Sequence, residues 1–307
     1  MRWDDRVGRR LRLKDLHTLQ AVAEVGSMAK ASAKLALSQP AISKAVSDME
    51  RLLGVPLLDR LAHGVELTDC GHLLLERARI IFDELRLGIT DIQHAADPTR
   101  GEIRIGTTEP ITGFVADVIT GMRSVYPRIT FRVGVSDTTT LVRELRERAL
   151  DVVVTRWMAE ARADDLAAEV LFQAPLSVMA DRRHPLLNRK RLLLSDIMDE
   201  AWTLSPPDSF LGRVVGQVFR RQKLNLPSAV VTTLSIHMRL NLLASGAFLT
   251  VLPTYMLTQP AHRAWLRALP IDLAGSAGPI AAITVKKRSM GGALKMFQQA
   301  CRETELR

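Results

Sequence analysis

Three stripes of apolar side chains at helical spacing predict three short helices in the first sixty positions. Local signals separate them: Gly26 ends the first helix, Ser27 caps the second, and Ser38 caps the third, in which Pro40 takes an early position where its missing N–H costs nothing. The stripes are Leu13, Leu16, Leu19, Val22 and Ala23, then Met28, Ala31 and Leu35, then Ile42, Val46, Met49 and Leu53. The segment therefore reads as a compact helical domain.

The third helix carries polar side chains opposite its apolar stripe. They are Gln39, Ser43, Lys44, Ser47 and Arg51, which can hydrogen-bond base edges and phosphates. Two helices joined by a tight turn, the second with a polar face, predict a helix-turn-helix. The aromatic content of 5% argues against single-strand binding by base stacking, so duplex DNA is the expected target.

A small hairpin and a long helix follow. Residues 55–60 and 62–67 alternate around Gly64 and predict a wing, and the next apolar residues alternate spacings of four and three, as paired helices do. This seam is compatible with dimerisation and with packing onto its own domain. The neighbouring wing favours dimerisation, since two recognition helices must be held one helical turn apart. The candidate dimerisation residues are Leu74, Ala78, Ile81, Leu85 and Ile92.

Beyond a break at residues 97–101 the pattern changes to alternating strands and helices. Strands around residues 103–107, 129–135 and 151–155, with a helix around 141–149, predict βαβ units. Open α/β sheets bind ligands at the carboxyl ends of their strands, where this chain has small hydroxylic residues. Each of these hydroxyls could instead cap the helix that follows. The four are Thr107, Thr108, Ser136 and Thr138.

A second α/β stretch, from Leu171 to about His262, is expected to form its own lobe. It contains a strand at 176–180, loops at 184–185 and 205–207, a helix at about 210–221 and a strand at 248–252. A final strand at 280–285 and a helix near 293–302 are expected to return to the first lobe.

Composition narrows the function classes. With 307 residues, 47% hydrophobic and 24% charged, the chain suits about two folded domains. No 18-residue apolar run and no apolar leader are apparent, and Cys70 and Cys301 are too few for a disulfide framework, so we expect a cytoplasmic protein. The net charge of +9 is concentrated in residues 97–307 at +8, against +1 in residues 1–96, so a DNA-binding hypothesis must rest on local pattern.

Catalytic and metal motifs are absent from the sequence. There is no GxSxG, HExxH, Walker A or GxGxxG run, and the seven histidines match no zinc spacing. We predict no metal and no cofactor. Two alternatives to a regulator stay open: an enzyme that acts on a small metabolite in a bilobal cleft, and a solute-binding protein, which would need export.

Four segments in combination resemble the LysR-type transcriptional regulators: residues 16–28, 37–44, 52–60 and 67–71. Leu58 stands where the family usually has Phe, and about twelve extra residues at the start include Arg9, Arg10 and Arg12, as a misassigned start or a basic arm on DNA. The effector region, with 235–237 and 249–253, resembles the branch named for the regulator of a galactose-binding protein.

The resemblance implies an α/β effector domain of two periplasmic-binding-protein-like lobes, preceded by an all-α winged helix-turn-helix domain and a long linker helix. We expect the DNA-binding domain at 1–68, the linker at 69–97 and the effector domain at 98–307, with one lobe at about 100–169 and 265–307 and the other at about 170–264. The candidate DNA-binding residues are Ser27, Lys30, Ser38, Gln39, Pro40, Ser43, Lys44, Ser47, Arg51, Arg60 and His63. The candidate effector-binding residues are Thr107, Thr108, Glu109, Ser136, Thr138, Ser205 and Ser235.

The predicted function is sequence-specific binding of double-stranded DNA under the control of a small-molecule effector. A homodimer or homotetramer is expected, acting on the transcription machinery, with no membrane partner. The positive charge of residues 97–307 favours an anionic effector, whereas the branch resemblance favours a sugar or a sugar-derived acid, and both stay open.

Overall fold

The computed structural model of the chain describes residues 10–61, 64–97, 99–157 and 164–304. His63, one of the candidate DNA-binding residues, lies outside these ranges. The chain forms two compact units, one that ends at Gly88 and one that starts at Ile89. None of the helices in the described ranges has the length and apolar content needed to cross a bilayer.

The first unit contains three short helices, a two-stranded hairpin and the start of a long helix. Gly26 and Gly54 adopt left-handed backbone (φ 63° and 74°) and end the first and third helices, because glycine enters this conformation without a Cβ clash. The elements are α1 (Leu13–Val25), α2 (Met28–Leu35), α3 (Gln39–Leu53), β1 (Leu58–Leu61), β2 (Gly64–Leu67) and α4 (Asp69–Ala96).

The apolar stripes of α1, α2 and α3 meet in one core. Ala31 and Ile42 have no exposed surface, and Leu58 is also buried in this core, so the smaller side chain at the usual Phe position is packed. Gly71 lets the first turn of α4 approach the backbone of the hairpin: a Cβ at that position would lie 2.1 Å from the Leu57 carbonyl oxygen. The hairpin is therefore held against the helical core at a fixed position.

The second unit contains two five-stranded sheets, which form two lobes. Its elements in chain order are β3 (Arg100–Thr107), α5 (Thr112–Val125), β4 (Arg128–Val135), α6 (Thr138–Arg146), β5 (Val152–Arg156), β6 (Leu166–Ala174), β7 (Leu176–Asp181), β8 (Ala201–Leu204), α7 (Phe210–Arg221), β9 (Ala229–Thr232), α8 (Ile236–Ala244), β10 (Phe248–Pro253), β11 (Leu266–Ala268), β12 (Gly278–Val285) and α9 (Gly292–Glu303). The first lobe has the strand order β4-β3-β5-β12-β6, and the second has β11-β7-β10-β8-β9.

Strand directions follow the predicted βαβ units in part. Strand β3 pairs in parallel with β4 and β5, whereas β12 is antiparallel to both β5 and β6. Helix α6 begins at Thr138, three residues before the predicted start, because the Asp137 carboxylate accepts hydrogen bonds from the Thr139 and Thr140 amides. In each lobe, helices pack against the strands of the sheet.

The chain crosses between the lobes later than predicted at both places. Residues 170–174 continue β6 in the first sheet, because they pair with β12 up to Ala174. Residues 266–268 still belong to the second sheet, since β11 pairs with β7. The predicted lobe limits, about 169/170 and 264/265, therefore fall several residues too early: the crossings lie at about 175 and between 273 and 278. Sequence periodicity could not locate them, because strand pairing decides them.

A cluster of buried charged side chains connects three segments of the first lobe. The Asp151 carboxylate accepts hydrogen bonds from the Arg104 backbone amide at 2.9 Å, from Arg104 Nη2 at 2.8 Å and from Arg288 Nη2 at 2.7 Å. Side chains of Asp151 and Arg288 are almost fully buried. This cluster ties β3, the start of β5 and the segment after β12 together.

We predict that Asp151→Ala lowers the free energy of unfolding by about 3 kcal/mol or more, because two guanidinium groups lose their shared buried acceptor. The measurement is urea unfolding of the full chain followed by tryptophan fluorescence. Glu169→Ala is the matched control, since its partner Arg302 is half-exposed, and we expect a loss below about 1 kcal/mol. Equal losses in the two variants would contradict the assignment of Asp151 as a structural centre.

Candidate nucleic-acid interface and ligand cavity

Helix α3 buries one face in the first unit and exposes the other. Ile42, Val46 and Met49 are at most 2% exposed. The opposite face is uncovered by the chain itself: Gln39, Pro40, Lys44, Ser47 and Arg51 are exposed, and Ser43 is half-buried. A polar helix face that its own domain leaves open has the dimensions that the major groove accepts.

Two candidate serines act first as helix caps. The Ser27 hydroxyl accepts a hydrogen bond from the Lys30 amide at 3.4 Å, and the Ser38 hydroxyl accepts one from the Ala41 amide at 3.3 Å. They therefore fix where α2 and α3 begin, and the tight turn between the helices is closed by Ala36 in left-handed backbone. Any contact of Ser27 or Ser38 with DNA would come in addition to this structural role.

Arg60 lies on the hairpin, outside α3. It is exposed on β1, opposite Val65 of β2. Lys30 is also exposed, near the start of α2. Both side chains are therefore accessible to phosphate groups, at positions outside the base-reading helix.

A basic groove lies along one side of α3. It is lined by Arg10, Arg12, Lys14, Lys44 and Arg51, together with Asp15 and Asp48. Asp48 forms an ion pair with Arg51, and the Asp15 carboxylate accepts a hydrogen bond from the Arg12 amide at 3.0 Å. The groove thus joins the residues before α1 to the exposed face of α3 with an excess of positive charge. Sequence analysis did not identify Lys14, which lies among the apolar residues that predicted α1.

The predicted dimerisation seam on α4 is only partly accessible. Ile81, Leu85 and Ile92 are exposed, as is Ile89, which the prediction omitted. Ala78 has no exposed surface and so cannot contact a partner helix; its inclusion was wrong, because in this part of α4 the apolar stripe packs into the protein's own interior. Leu74 is half-buried and packs against the core of the first unit.

One cavity of about 340 Å³ lies in the second unit, and we call it the ligand cavity. Both lobes contribute to its lining. Six of the seven candidate effector-binding residues line it: Thr108, Glu109, Ser136, Thr138, Ser205 and Ser235. Further lining residues that the sequence did not indicate include Asp137, Thr155, Arg156, Ser209 and Phe210.

Thr107 does not line the ligand cavity, so that prediction was wrong. Its side chain is fully buried, and its hydroxyl donates a hydrogen bond to the Val154 carbonyl at 2.9 Å, between β3 and β5. The next residue is the one that reaches the cavity, because successive side chains of a strand point to opposite faces.

Three threonine hydroxyls form a chain in the cavity wall. Thr155 Oγ1 lies 3.3 Å from the hydroxyls of both Thr108 and Thr138. From the other lobe, the Ser205 hydroxyl accepts a hydrogen bond from Arg239 Nη1 at 3.0 Å. The polar part of the lining is therefore dominated by hydroxyl groups that are held in place by neighbours. Thr155 is the last residue of the strand predicted at 151–155, so the rule that selected Thr107 and Thr108 would also have selected it.

Two charged side chains of the cavity lining, Asp137 and Arg156, form hydrogen bonds with other groups of the protein. The Thr140 hydroxyl, and then the amides that Asp137 caps, hold the pKa of the Asp137 carboxyl below its usual range despite opposing desolvation. Burial lowers the pKa of the Arg156 guanidinium, which donates at 2.8 Å to the Ala174 carbonyl and also bonds the Ser276 carbonyl. Those two carbonyls lie where the chain crosses between the lobes. No sequence signal pointed to Arg156.

Groups of side chains that suit a metal ion are not found among the described residues. Cys301 is buried, and burial raises the pKa of its thiol to about 12, as expected for an unreactive packed cysteine. The cavity thus has hydroxyl and apolar groups of the kind that bind small ligands, in a unit that follows a winged helix-turn-helix in the chain. That combination defines a ligand-responsive DNA-binding regulator.

Comparison with known proteins assigns the family. Residues 13–72 match the model of the bacterial regulatory helix-turn-helix protein, lysR family, and residues 96–305 match the LysR substrate binding domain. The chain belongs to the LysR family of transcriptional regulators. The predictions of a DNA-binding regulator with an effector domain, and of a regulator in place of an enzyme, are confirmed.

Relatives and solved structures agree with this family. The chain is 30% identical over 244 residues to the HTH-type transcriptional regulator GbpR of Azospirillum brasilense. The aligned region covers 79% of this chain and 71% of that protein. Full-length CbnR in complex with its target DNA has a TM-score of 0.66 at 24% identity, covering 95% and 99% of the two chains. Full-length OxyR C199D from Pseudomonas aeruginosa has a TM-score of 0.68 at 18% identity, covering 96% of each chain. The two structures show the shared fold.

We predict that two hydroxyl deletions differ in their effect on stability. Thr107→Val removes a buried hydrogen bond and leaves the Val154 carbonyl without it, so thermal melting should show a loss of about 1–2 kcal/mol. Ser136→Ala removes a half-buried hydroxyl of the cavity lining, and we expect a change below about 0.5 kcal/mol. A larger loss of stability in Ser136→Ala than in Thr107→Val would contradict the assignment of Thr107 as structural and of Ser136 as a cavity-lining hydroxyl.

Proposed function

We propose that the protein recognises duplex DNA with the exposed face of α3. Gln39 and Lys44 would read base edges in the major groove, with Ser43, Ser47 and Pro40 beside them. The amides at the start of α3, after Ser38, and the side chains of Ser27, Lys30, Arg51, Arg60 and His63 would contact the backbone. The observation that carries this proposal is that α3 buries Ile42, Val46 and Met49 of its apolar face while its polar face stays open.

We propose that the protein acts as a homodimer or homotetramer in the cytoplasm, through residues 69–97 as the linker between the DNA-binding and effector domains. The exposed Ile81, Leu85 and Ile92 on α4 favour this. They form a stripe of apolar side chains at helical spacing, and burying such a stripe against a second helix stabilises the pair of helices. A dimer would set two copies of α3 in successive major grooves on one side of the duplex, and so in reach of the transcription machinery.

We propose that the effector is a small hydroxylated compound, such as a sugar or a sugar-derived acid, bound in the ligand cavity. Seven of the lining residues carry hydroxyl groups, and hydroxyls exchange hydrogen bonds with a polyol in either direction. An acidic group on the effector would find a cation in Arg156, which lines the cavity and whose hydrogen-bond partners, the Ala174 and Ser276 carbonyl oxygens, are neutral. The hydroxyl-rich lining thus supports a sugar or a sugar-derived acid as the effector, and the positive charge of Arg156 is compatible with an anionic group on it.

Control of DNA binding requires that the effector favours one arrangement of the oligomer over another. A ligand with equal affinity for both arrangements would shift nothing. Arg156 links the cavity wall to both chain crossings, at Ala174 and Ser276, and so connects ligand binding to the relative position of the lobes.

The proposed roles of Lys44 and Arg60 are separable by gel-shift titration on a duplex selected by the protein and on a random duplex. Lys44→Ala should lose about 1–3 kcal/mol on the selected duplex and much less on the random one, because a base contact is lost. Arg60→Ala should weaken both to a similar extent, as loss of a phosphate contact does. Unchanged binding by Lys44→Ala on both duplexes would show that α3 presents a different face.

The basic groove predicts a contribution of Arg10 and Arg12 to phosphate binding. The double variant Arg10→Ser/Arg12→Ser should reduce the slope of log affinity against log salt by about 1 for each phosphate contact that a subunit loses. The matched control removes the exposed Arg189 and Arg191 from the second unit, with the same change in net charge and no expected change in slope. If both double variants give the same slope, the residues before α1 do not touch DNA.

A further inference from the structure

A single carboxylate joins the two lobes across the ligand cavity. Glu109 lies in a short 3-10 turn just after β3, in the first lobe. Its Oε2 accepts a hydrogen bond from the Ile236 amide at 2.7 Å, and its Oε1 accepts one from the His237 amide at 2.9 Å. These amides open α8, which packs on the sheet of the second lobe. The contact therefore spans 127 residues of sequence.

The amides at the start of α8 are all taken by the chain itself. Glu109 binds those of Ile236 and His237, and the Ser235 hydroxyl accepts a hydrogen bond from the Met238 amide at 3.2 Å. The N-terminus of a helix attracts anions, because its amides lack intrahelical partners and the helix dipole is positive there. Glu109 thus occupies the place where a ligand carboxylate would bind in this cavity.

A buried guanidinium near the start of α8 is also stabilised by a negative charge there. Arg239, one turn further along α8, has no exposed surface and donates hydrogen bonds to Ser205, Thr250 and the Val251 carbonyl, all neutral groups. Burial lowers the pKa of Arg239 to about 10, and the negative charge of Glu109 opposes that shift. Glu109 therefore compensates both the helix terminus and a guanidinium that has no carboxylate among these hydrogen-bond partners.

We propose that Glu109 is a specificity-determining residue of the ligand cavity: its carboxylate permanently fills the anion site at the start of α8. An effector that presents a carboxylate or phosphate to this end of the cavity is excluded, and the end that faces Glu109 carries hydroxyl or other donor groups. An acidic effector is thereby oriented with its anionic group away from α8. This inference rests on the proposed function of the cavity as the effector site.

Chemical rescue of a Glu109→Ala variant with acetate tests the inference. Glu109→Ala removes a group of the size and charge of acetate and leaves the two amides exposed to the cavity. We expect its melting temperature in the full chain to fall by about 4 °C. About 100 mM sodium acetate should then restore much of the loss, since a ligand that binds only the folded state stabilises it by mass action. Sodium chloride at equal ionic strength should restore none of it.

Two control variants separate rescue at this site from general salt effects. Glu109→Gln keeps the volume of the side chain, so acetate cannot enter and should not stabilise it. Asp196→Ala removes a carboxylate of the second lobe that accepts a hydrogen bond from the Leu193 amide at 2.9 Å outside the cavity lining, and acetate should not stabilise this variant. Acetate that stabilises the wild type or Glu109→Gln as much as Glu109→Ala would overturn the proposal, as would the absence of any acetate effect on a folded Glu109→Ala.

Hydrogen exchange gives a second test that needs no destabilised variant. In the wild type the amides of Ile236 and His237 should exchange slowly, and acetate should not slow them further. Acetate-dependent protection of these amides in the wild type would show that Glu109 does not fill the site. Neither measurement involves DNA, so failure of this inference leaves α3 as the DNA-binding helix, and failure of DNA binding leaves the rescue result unaffected.

Discussion

Helix α3 has to bury one face in its own unit and leave the opposite face open to DNA. The burial of Ile42, Val46 and Met49 meets the first requirement, and the hydroxyl of Ser38 fixes the residue at which the helix starts. Because the start and the buried face are both fixed, the directions of Gln39 and Lys44 are also fixed. The hairpin is tied to the same helix, since the Glu50 carboxylate of α3 accepts hydrogen bonds from the amides of Leu57 and Leu58 at 2.9 and 3.2 Å.

In the second unit, hydrogen bonds within the chain fix the positions of the polar groups that line the ligand cavity. Thr155 orients the hydroxyls of Thr108 and Thr138, Arg239 orients that of Ser205, and Glu109 neutralises the start of α8. A cavity whose polar groups are held by their neighbours loses little conformational entropy when a ligand binds. It also discriminates, because a ligand must match donors and acceptors that cannot rearrange.

The N-terminal unit could be predicted from sequence almost element by element, because its information is local. Helical spacing, Ser27 and Ser38 as caps, and Gly26 and Gly54 as stops act within a few residues. In the second unit six strands were predicted, whereas β6, β8, β9, β11 and the lobe crossings were not, since pairings such as that of β6 with β12 join distant segments. The contact between Glu109 and α8, and the place of Arg156 between the two crossings, lie beyond local pattern for the same reason. Thr107 and Thr108 differ in role because of strand alternation, which a one-residue uncertainty in register conceals.

Selection of bound duplexes from a random pool measures directly whether α3 reads the sequence of duplex DNA in a two-fold assembly. We expect enrichment of an inverted repeat whose half-sites are about 10 base pairs apart, or a multiple of that spacing, from centre to centre, and loss of that enrichment with Lys44→Ala. A pool that stays random after repeated selection by the wild type, or that enriches equally with Lys44→Ala, would contradict this role of α3.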